Sequence, residues 1–199
     1  MEEEGGYRGR GKLMQQDLDT LRHLLAELSL SRPSVEACTV FALDFAPVAA
    51  AEVADELLSV VASEAAPAPT LVARLYLISD VLHNGAVAVR SVSVYRSKLA
   101  PALPDFFEAL SAKLRGVGGR ITAEAMKERV MRVLSSWERS SLFPPAFLAG
   151  LEATFLRRPL DEDVSAIDAL DVASLSVDDL QRACRQGGLS TAGDAKAML

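Results

Sequence analysis

Two short segments carry the side chains best suited to chemistry. In Leu71–Asn84, Asp80 and Asn84 lie one helical turn apart, with Tyr76 a turn earlier and His83 beside them. A carboxylate accepts from hydroxyl and amide donors, and a side-chain amide both donates and accepts, so such a pair can clamp the polar groups of an extended peptide. The second segment carries Arg129, Arg132 and Arg139. Guanidinium groups on one helix face suit the oxygens of a phosphate, which each engages two at a time. Both groups also have ordinary structural uses. Asp80 and Asn84 can bond the ends of neighbouring helices, and the arginines can pair with Glu128, Glu138 or an adjacent helix. The pattern leaves both readings open.

Catalytic and metal-binding constellations are not visible. His23, His83, Cys38 and Cys184 are isolated from one another, whereas a zinc site takes about four nitrogen or sulfur ligands at short spacings. No glycine-rich phosphate loop follows a strand, and no nucleophile is placed beside a base and an orienting group. A non-enzymatic chain with no metal and no cofactor is expected. The two distant cysteines fit a reducing compartment with no disulfide framework.

Composition specifies the scaffold. Among 199 residues there are 31 Ala and 29 Leu but 3 Ile, a balance that favours helix throughout. Leu18, Leu21, Leu25 and Leu28 recur at helical spacing in a helix predicted over 15–29, which Ser31-Arg32-Pro33 ends. Pro33 enters the first turn of a second helix reaching Ala46, and Pro47 opens a third reaching Ala65. The fourth, 70–84, has Leu71, Leu75, Ile78 and Leu82 on one side and a narrow polar side opposite, the pattern of a helix buried at mid-fold. Gly85 then caps its end. A longer connection, in which 86–94 reads as irregular or helical but not as a strand, carries Tyr95 and leads to a helix through Pro101 and Pro104 that ends near Leu114. Further helices are predicted over 123–140 and 146–156, the former with Met126, Val130, Val133, Leu134 and Trp137 on its apolar side. Short connections between seven or eight helices predict an all-α superhelix.

The organisation follows from charge and breakers. Residues 1–12 read as a flexible lead-in, 13–158 as one helical domain, 159–173 as an acidic linker and 174–199 as a short helical unit. The net charge is −6; residues 159–199 hold 3 basic and 8 acidic side chains, so the preceding 158 are near neutral. Within them, 113–139 has seven basic residues against three acidic, a local patch that suits an anionic partner smaller than a duplex. No 18 consecutive apolar residues occur, so no membrane span is expected, and the N-terminus lacks the apolar stretch of a secretory signal.

The strings VARLYLISDVLHN (72–84), YRSKLAPALPDFFEAL (95–110) and GRITAEAMKERVMRVLSSWERSSLFPPAFLAGLEATFLR (119–157) resemble the CTD-interacting domain of the U2-snRNP-associated SURP-motif splicing factors. Residues 8–50 fit the same family at its first two helices. The resemblance implies a right-handed superhelix of about eight helices, related in plan to VHS and epsin-like domains, and a nuclear pre-mRNA splicing factor. It implies binding of the heptad-repeat tail of RNA polymerase II, often phosphorylated, and splicing-particle proteins as further partners. Ser79–Asn84 matches the family's groove-lining string at Asp80, which would bond the repeat's tyrosine hydroxyl, and at Asn84, which would bond its backbone. Arg132 matches a phosphate-reading arginine five residues before the tryptophan; the family's second arginine is Ser140 here, with Arg139 adjacent. Residues 175–199 resemble a SAP motif, with Ser176 and Asp179 at its capping box, Leu175, Val177, Leu180 and Leu189 as its core, and Gly188 and Gly193 in its turns. That motif implies RNA or DNA contact, although Ala195 stands at its usual basic position. An RNA-recognition domain and a SURP module normally precede such a region, so a longer parent protein is expected. A membrane-trafficking adaptor and an unoccupied spliceosomal scaffold are the alternatives; the adaptor calls for a basic first helix.

Overall fold

The computed structural model describes residues 11–62, 66–84, 92–156, 176–189 and 191. All regular structure among them is helical, in agreement with the predicted class: α1 Gln15–Ala26, α2 Arg32–Leu58, α3 Ala68–Asn84, α4 Val92–Leu99, α5 Leu103–Gly116, α6 Arg120–Arg139, α7 Pro145–Leu156 and α8 Val177–Gln186. Short 3-10 turns cover Ser59–Ala62 and Ala100–Ala102. The helices form two compact units that divide between Leu99 and Ala100. The expected cap at Gly85, the acidic linker, and Leu175, Gly193, Ala195 and Lys196 lie outside the described residues.

In the first unit α2 is central and packs on α1, α3 and α4. Leu21, Leu25 and Leu28 bring the apolar stripe of the first helix inward, as the spacing predicts. The stretch from Arg32 is long and apolar enough to cross a membrane by length and composition, with a mean hydropathy of 1.5 in its best window. Cys38, Ala42, Ala46, Ala50, Val53 and Leu57 are nonetheless buried within the unit, as in a core helix. Their small side chains let three neighbours approach the α2 backbone closely.

Two expectations for this unit are refined by the structure. The helix boundary expected at Pro47 is present but lies two residues later: two helical arms meet at a kink at Ala49, where φ is −143° and ψ 31°. Proline withholds the N–H that the Leu43 carbonyl would accept and its ring crowds that carbonyl, so the helix is interrupted beside it. Ala46, Ala49 and Ala50 are buried around the bend and hold the two arms in one packed element. Tyr95, placed in the longer connection, lies in α4, in line with the helical alternative for the residues just before it; it is fully buried, its hydroxyl donating to the Ala42 carbonyl in the turn before Pro47. Burial pushes its phenol far above the ordinary range.

Arg74 is the buried cation of this unit. Its Nη1 donates to the carbonyls of Glu56 at 2.9 Å and Leu57 at 3.2 Å, at the C-terminal end of α2 where a positive charge complements the helix dipole. Burial lowers its pKa, which the neighbouring Cys38 and Glu56 partly offset.

The second unit is built on aromatic contacts. Trp137 of α6 lies 6.1 Å from Phe107 of α5 and 5.2 Å, edge-on, from Phe143; Phe107 also meets Phe155 of α7 edge-on at 6.4 Å. Such offset and edge-on pairs add to the gain from burial alone. Helix α6 ends in a tight reversal: the Leu142 amide donates to the Trp137 carbonyl and the Ser141 amide to that of Glu138, with Ser141 at φ 51°. That is a Schellman motif with serine where glycine is usual.

Candidate functional site

Helix α3 presents the predicted narrow strip. Nine of its residues, from Leu71 to Leu82, are buried, while Tyr76, Ser79, Asp80, His83 and Asn84 are partly exposed. Asp80, His83 and Asn84 are each oriented by a hydrogen bond. Asp80 Oδ2 accepts a 2.7 Å hydrogen bond from the hydroxyl of Thr39 on α2. Asn84 Nδ2 donates to the Asp80 carbonyl at 2.9 Å, which fixes the amide plane. His83 Nδ1 lies 2.7 Å from the Ser79 carbonyl. A carbonyl can only accept, so Nδ1 carries the proton and Nε2 is the acceptor of the neutral ring.

The structural use anticipated for Asp80 and Asn84, bonding the ends of neighbouring helices, is not the one found in these contacts. Asp80 instead meets a side chain in the middle of α2, and Asn84 bonds back along its own helix. A carboxylate has about four acceptor positions and Thr39 occupies one, so the group is positioned and still able to accept. Thr39 is 3% exposed and is the residue that sequence reasoning missed. Its signal was available: a hydroxyl inside the apolar run from Val35 to Phe45 must find a partner when buried.

On α6 the two faces fall as the periodicity predicts. Met126, Val130, Val133, Leu134 and Trp137 are buried, and Arg129, Arg132 and Arg139 are exposed. Arg132 Nη2 sits 2.6 Å from Glu128 Oε1, one turn back. The commoner fate of a helix arginine is thus realised at this position. Exposed pairs of this kind contribute only about 0.3–0.5 kcal/mol, little enough for a phosphate dianion to displace the carboxylate. Elsewhere in the basic segment, Arg115 reaches the Ser111 hydroxyl at 2.9 Å, and Lys127 pairs with Glu124 at 3.0 Å.

The first helix offers no comparable cationic face. Its one arginine, Arg22, is held by Glu56 of α2, with Nη2 2.7 Å from Oε1 and Nε 3.3 Å from both carboxylate oxygens. This is not the arrangement that the adaptor alternative calls for.

At the C-terminal unit, Ser176 caps α8 as anticipated, its hydroxyl oxygen accepting from the Asp179 amide at 3.2 Å. Of the expected SAP-like core, none of the described residues, Val177, Leu180 and Leu189, is buried. Val177 is 53% exposed, and Cys184, not among the expected core residues, is buried instead.

The family model for the CID domain matches residues 19–151. The chain is 34% identical to Protein RRC1 of Arabidopsis thaliana in an alignment that covers 91% of this chain and 23% of that protein. It is 42% identical to Protein RRC1-like of the same plant, over 70% of this chain and 15% of the relative. The chain therefore spans less than a quarter of the length of these curated relatives. No solved structure gives a significant match.

Proposed function

The chain belongs to the CID domain family, and from that premise we propose that it is the peptide-binding module of a nuclear splicing or RNA-processing factor. Its ligand is an extended, serine-phosphorylated peptide such as the heptad repeats of the RNA polymerase II tail. The observation that carries this reading is the Thr39-braced carboxylate of Asp80, set one turn from the fixed amide of Asn84 in a strip otherwise walled by apolar residues. Asp80 accepts from a peptide hydroxyl, Asn84 bonds the peptide backbone, and Tyr76 and His83 line the same strip. Arg129, Arg132 and Arg139 supply guanidinium donors for phosphate. Splicing-particle proteins complete the partner set. No chemistry is assigned to the site: the groups bind and orient.

Titration of fluorescent two-repeat tail peptides, unphosphorylated and serine-phosphorylated, tests the reading against wild type, Asp80→Asn and Arg132→Ala. Asparagine can still accept from Thr39, so this substitution removes charge without orphaning the buried hydroxyl. Each variant is expected to weaken phosphopeptide binding by about 1–3 kcal/mol, the scale of a charge-assisted hydrogen bond. Equal binding of phosphopeptide by all three proteins, or no binding at high concentration, would assign the domain to scaffolding.

A further inference from the structure

Beyond the family-matched residues, α8 meets α7 at a seat made from glycine backbone. A Cβ built on Gly150, inside α7, would stand 1.7 Å from the Gly187 carbonyl oxygen. A Cβ on Gly188 would stand 2.2 Å from the Phe147 carbonyl oxygen and 3.1 Å from the Leu151 amide. The exclusion is mutual: each backbone lies where the other's side chain would be.

The turn that enters this seat is itself specified. Leu189 donates to the Cys184 carbonyl at 2.8 Å and Gly188 to that of Arg185 at 3.2 Å, a second Schellman motif, with Gly188 at φ 74°. A β-carbon is disfavoured there by conformation as well as by space. Cys184 is the buried residue of α8, at 8% exposure, whereas Asp178, Gln181, Arg182, Arg185 and Gln186 face a cleft of about 430 Å³ shared with Pro101 and Phe147. Cys184 and the glycine turn, not the whole apolar side of α8, make the contact with the rest of the unit.

We propose that α8 and its glycine turn are a clasp, an intramolecular partner for which the Gly150 face of α7 is the docking surface. The functional domain then runs through residue 191 rather than ending with α7. Release of the clasp uncovers the Phe147–Leu151 turn that the glycine turn seats on, and with it Cys184, the buried residue of α8. The competing assignment, an independent nucleic-acid-binding hairpin, leaves α8 undocked and Cys184 open.

The chain carries its own reporters, since its two cysteines, Cys38 in the first unit and Cys184 in α8, are both unoxidised and buried. Full-length wild type, Gly150→Ala and Gly188→Ala would be reacted with dithionitrobenzoate under native conditions, and the labelled positions resolved by peptide mass. In wild type both thiols should react far more slowly than after denaturation. In Gly150→Ala, Cys184 should react at least about tenfold faster while Cys38 stays protected, as expected when one element opens without the rest. Alanine is a better helix former than glycine, so α7 itself is not weakened by the change. Gly188→Ala should reproduce the effect from the other side of the contact. Rapid labelling of Cys184 in wild type would overturn the proposal, as would continued protection in both variants. Joint exposure of Cys38 and Cys184 in both variants would also refute it, because the clasp would then not be separable from the fold.

Discussion

Thr39 and Asp80 are 41 residues apart in the chain, yet a 2.7 Å hydrogen bond joins them. Positioning by Thr39 can be separated from contact by Asp80. Thr39→Val keeps the shape and removes the donor, so it should weaken peptide binding by about 0.5–1.5 kcal/mol, the net worth of one neutral hydrogen bond. In an Asp80→Ala background the same change should cost almost nothing further in binding, because the carboxylate it orients has gone; a double-mutant cycle by titration reads this directly. Tyr95 gives a second residue-scale prediction, with a pH sign. Its folded-state pKa is raised by burial, while the unfolded phenol titrates near about 10. Above that value the unfolded chain releases the proton first, so stability is fully present below about pH 10 and falls as pH rises toward the folded value. Tyr95→Phe should lose about 0.5–1.5 kcal/mol at neutral pH with the bond to Ala42. It should also show a shallower alkaline decline in urea unfolding. An alkaline limb identical to wild type would refute the assignment.

At the scale of elements, legibility followed the distance over which each cause acts. The apolar stripes of α1, α3 and α6 were readable because helical periodicity is local, and the faces carrying Asp80 and Arg132 were readable for the same reason. The break near Pro47 was readable too, but its place at Ala49 and the joining of the two arms by a kink were not, because they depend on the burial of Ala46, Ala49 and Ala50 in packed surroundings. The helix of Tyr95 was left open in sequence because it is only eight residues long and is held by burial and a bond to a distant carbonyl, neither of which has a sequence period. Thr39 announced a need for a partner but could not name Asp80. The glycine seat on α7 was invisible, since Gly150 reads in sequence only as a weak point in a helix. The reversal after α6 is an element-scale feature that can be improved. Ser141 holds φ 51°, a conformation that costs an ordinary side chain about 1–2 kcal/mol and glycine nearly nothing. Ser141→Gly should therefore raise stability by about 1 kcal/mol, less glycine's greater freedom in the unfolded chain. The change should appear as a higher urea midpoint at constant slope. A lower midpoint would show that the serine side chain contributes more than its backbone strain.

For the molecule as a whole, charge is the property that no single helix contains. Residues 159–199 supply 8 acidic and 3 basic side chains out of totals of 27 and 21, so the rest of the chain is close to neutral and the acidic excess is concentrated after residue 158. A phosphoserine peptide brings about −1.5 to −2 per phosphate at neutral pH. On the proposed function, approach of such a peptide to the arginines of α6 would meet the like charge of residues 159–199, over a range set by screening: about 30 Å at 0.01 M salt and about 8 Å at physiological ionic strength. Long-range terms of this kind act mainly on association rate, while contacts set dissociation. Replacing Asp161, Glu162, Asp163, Asp168 and Asp171 by their amides should accordingly raise the phosphopeptide on-rate a few-fold at 0.01 M salt and leave the off-rate nearly unchanged. The advantage should shrink steadily as salt is added and vanish near 0.5 M. Stopped-flow association at several ionic strengths measures it, with the unphosphorylated peptide as the control expected to respond weakly. A gain in on-rate that persists at high salt would mean that these side chains block the peptide by contact rather than by charge. No difference at any salt would place the phosphate beyond the reach of their field.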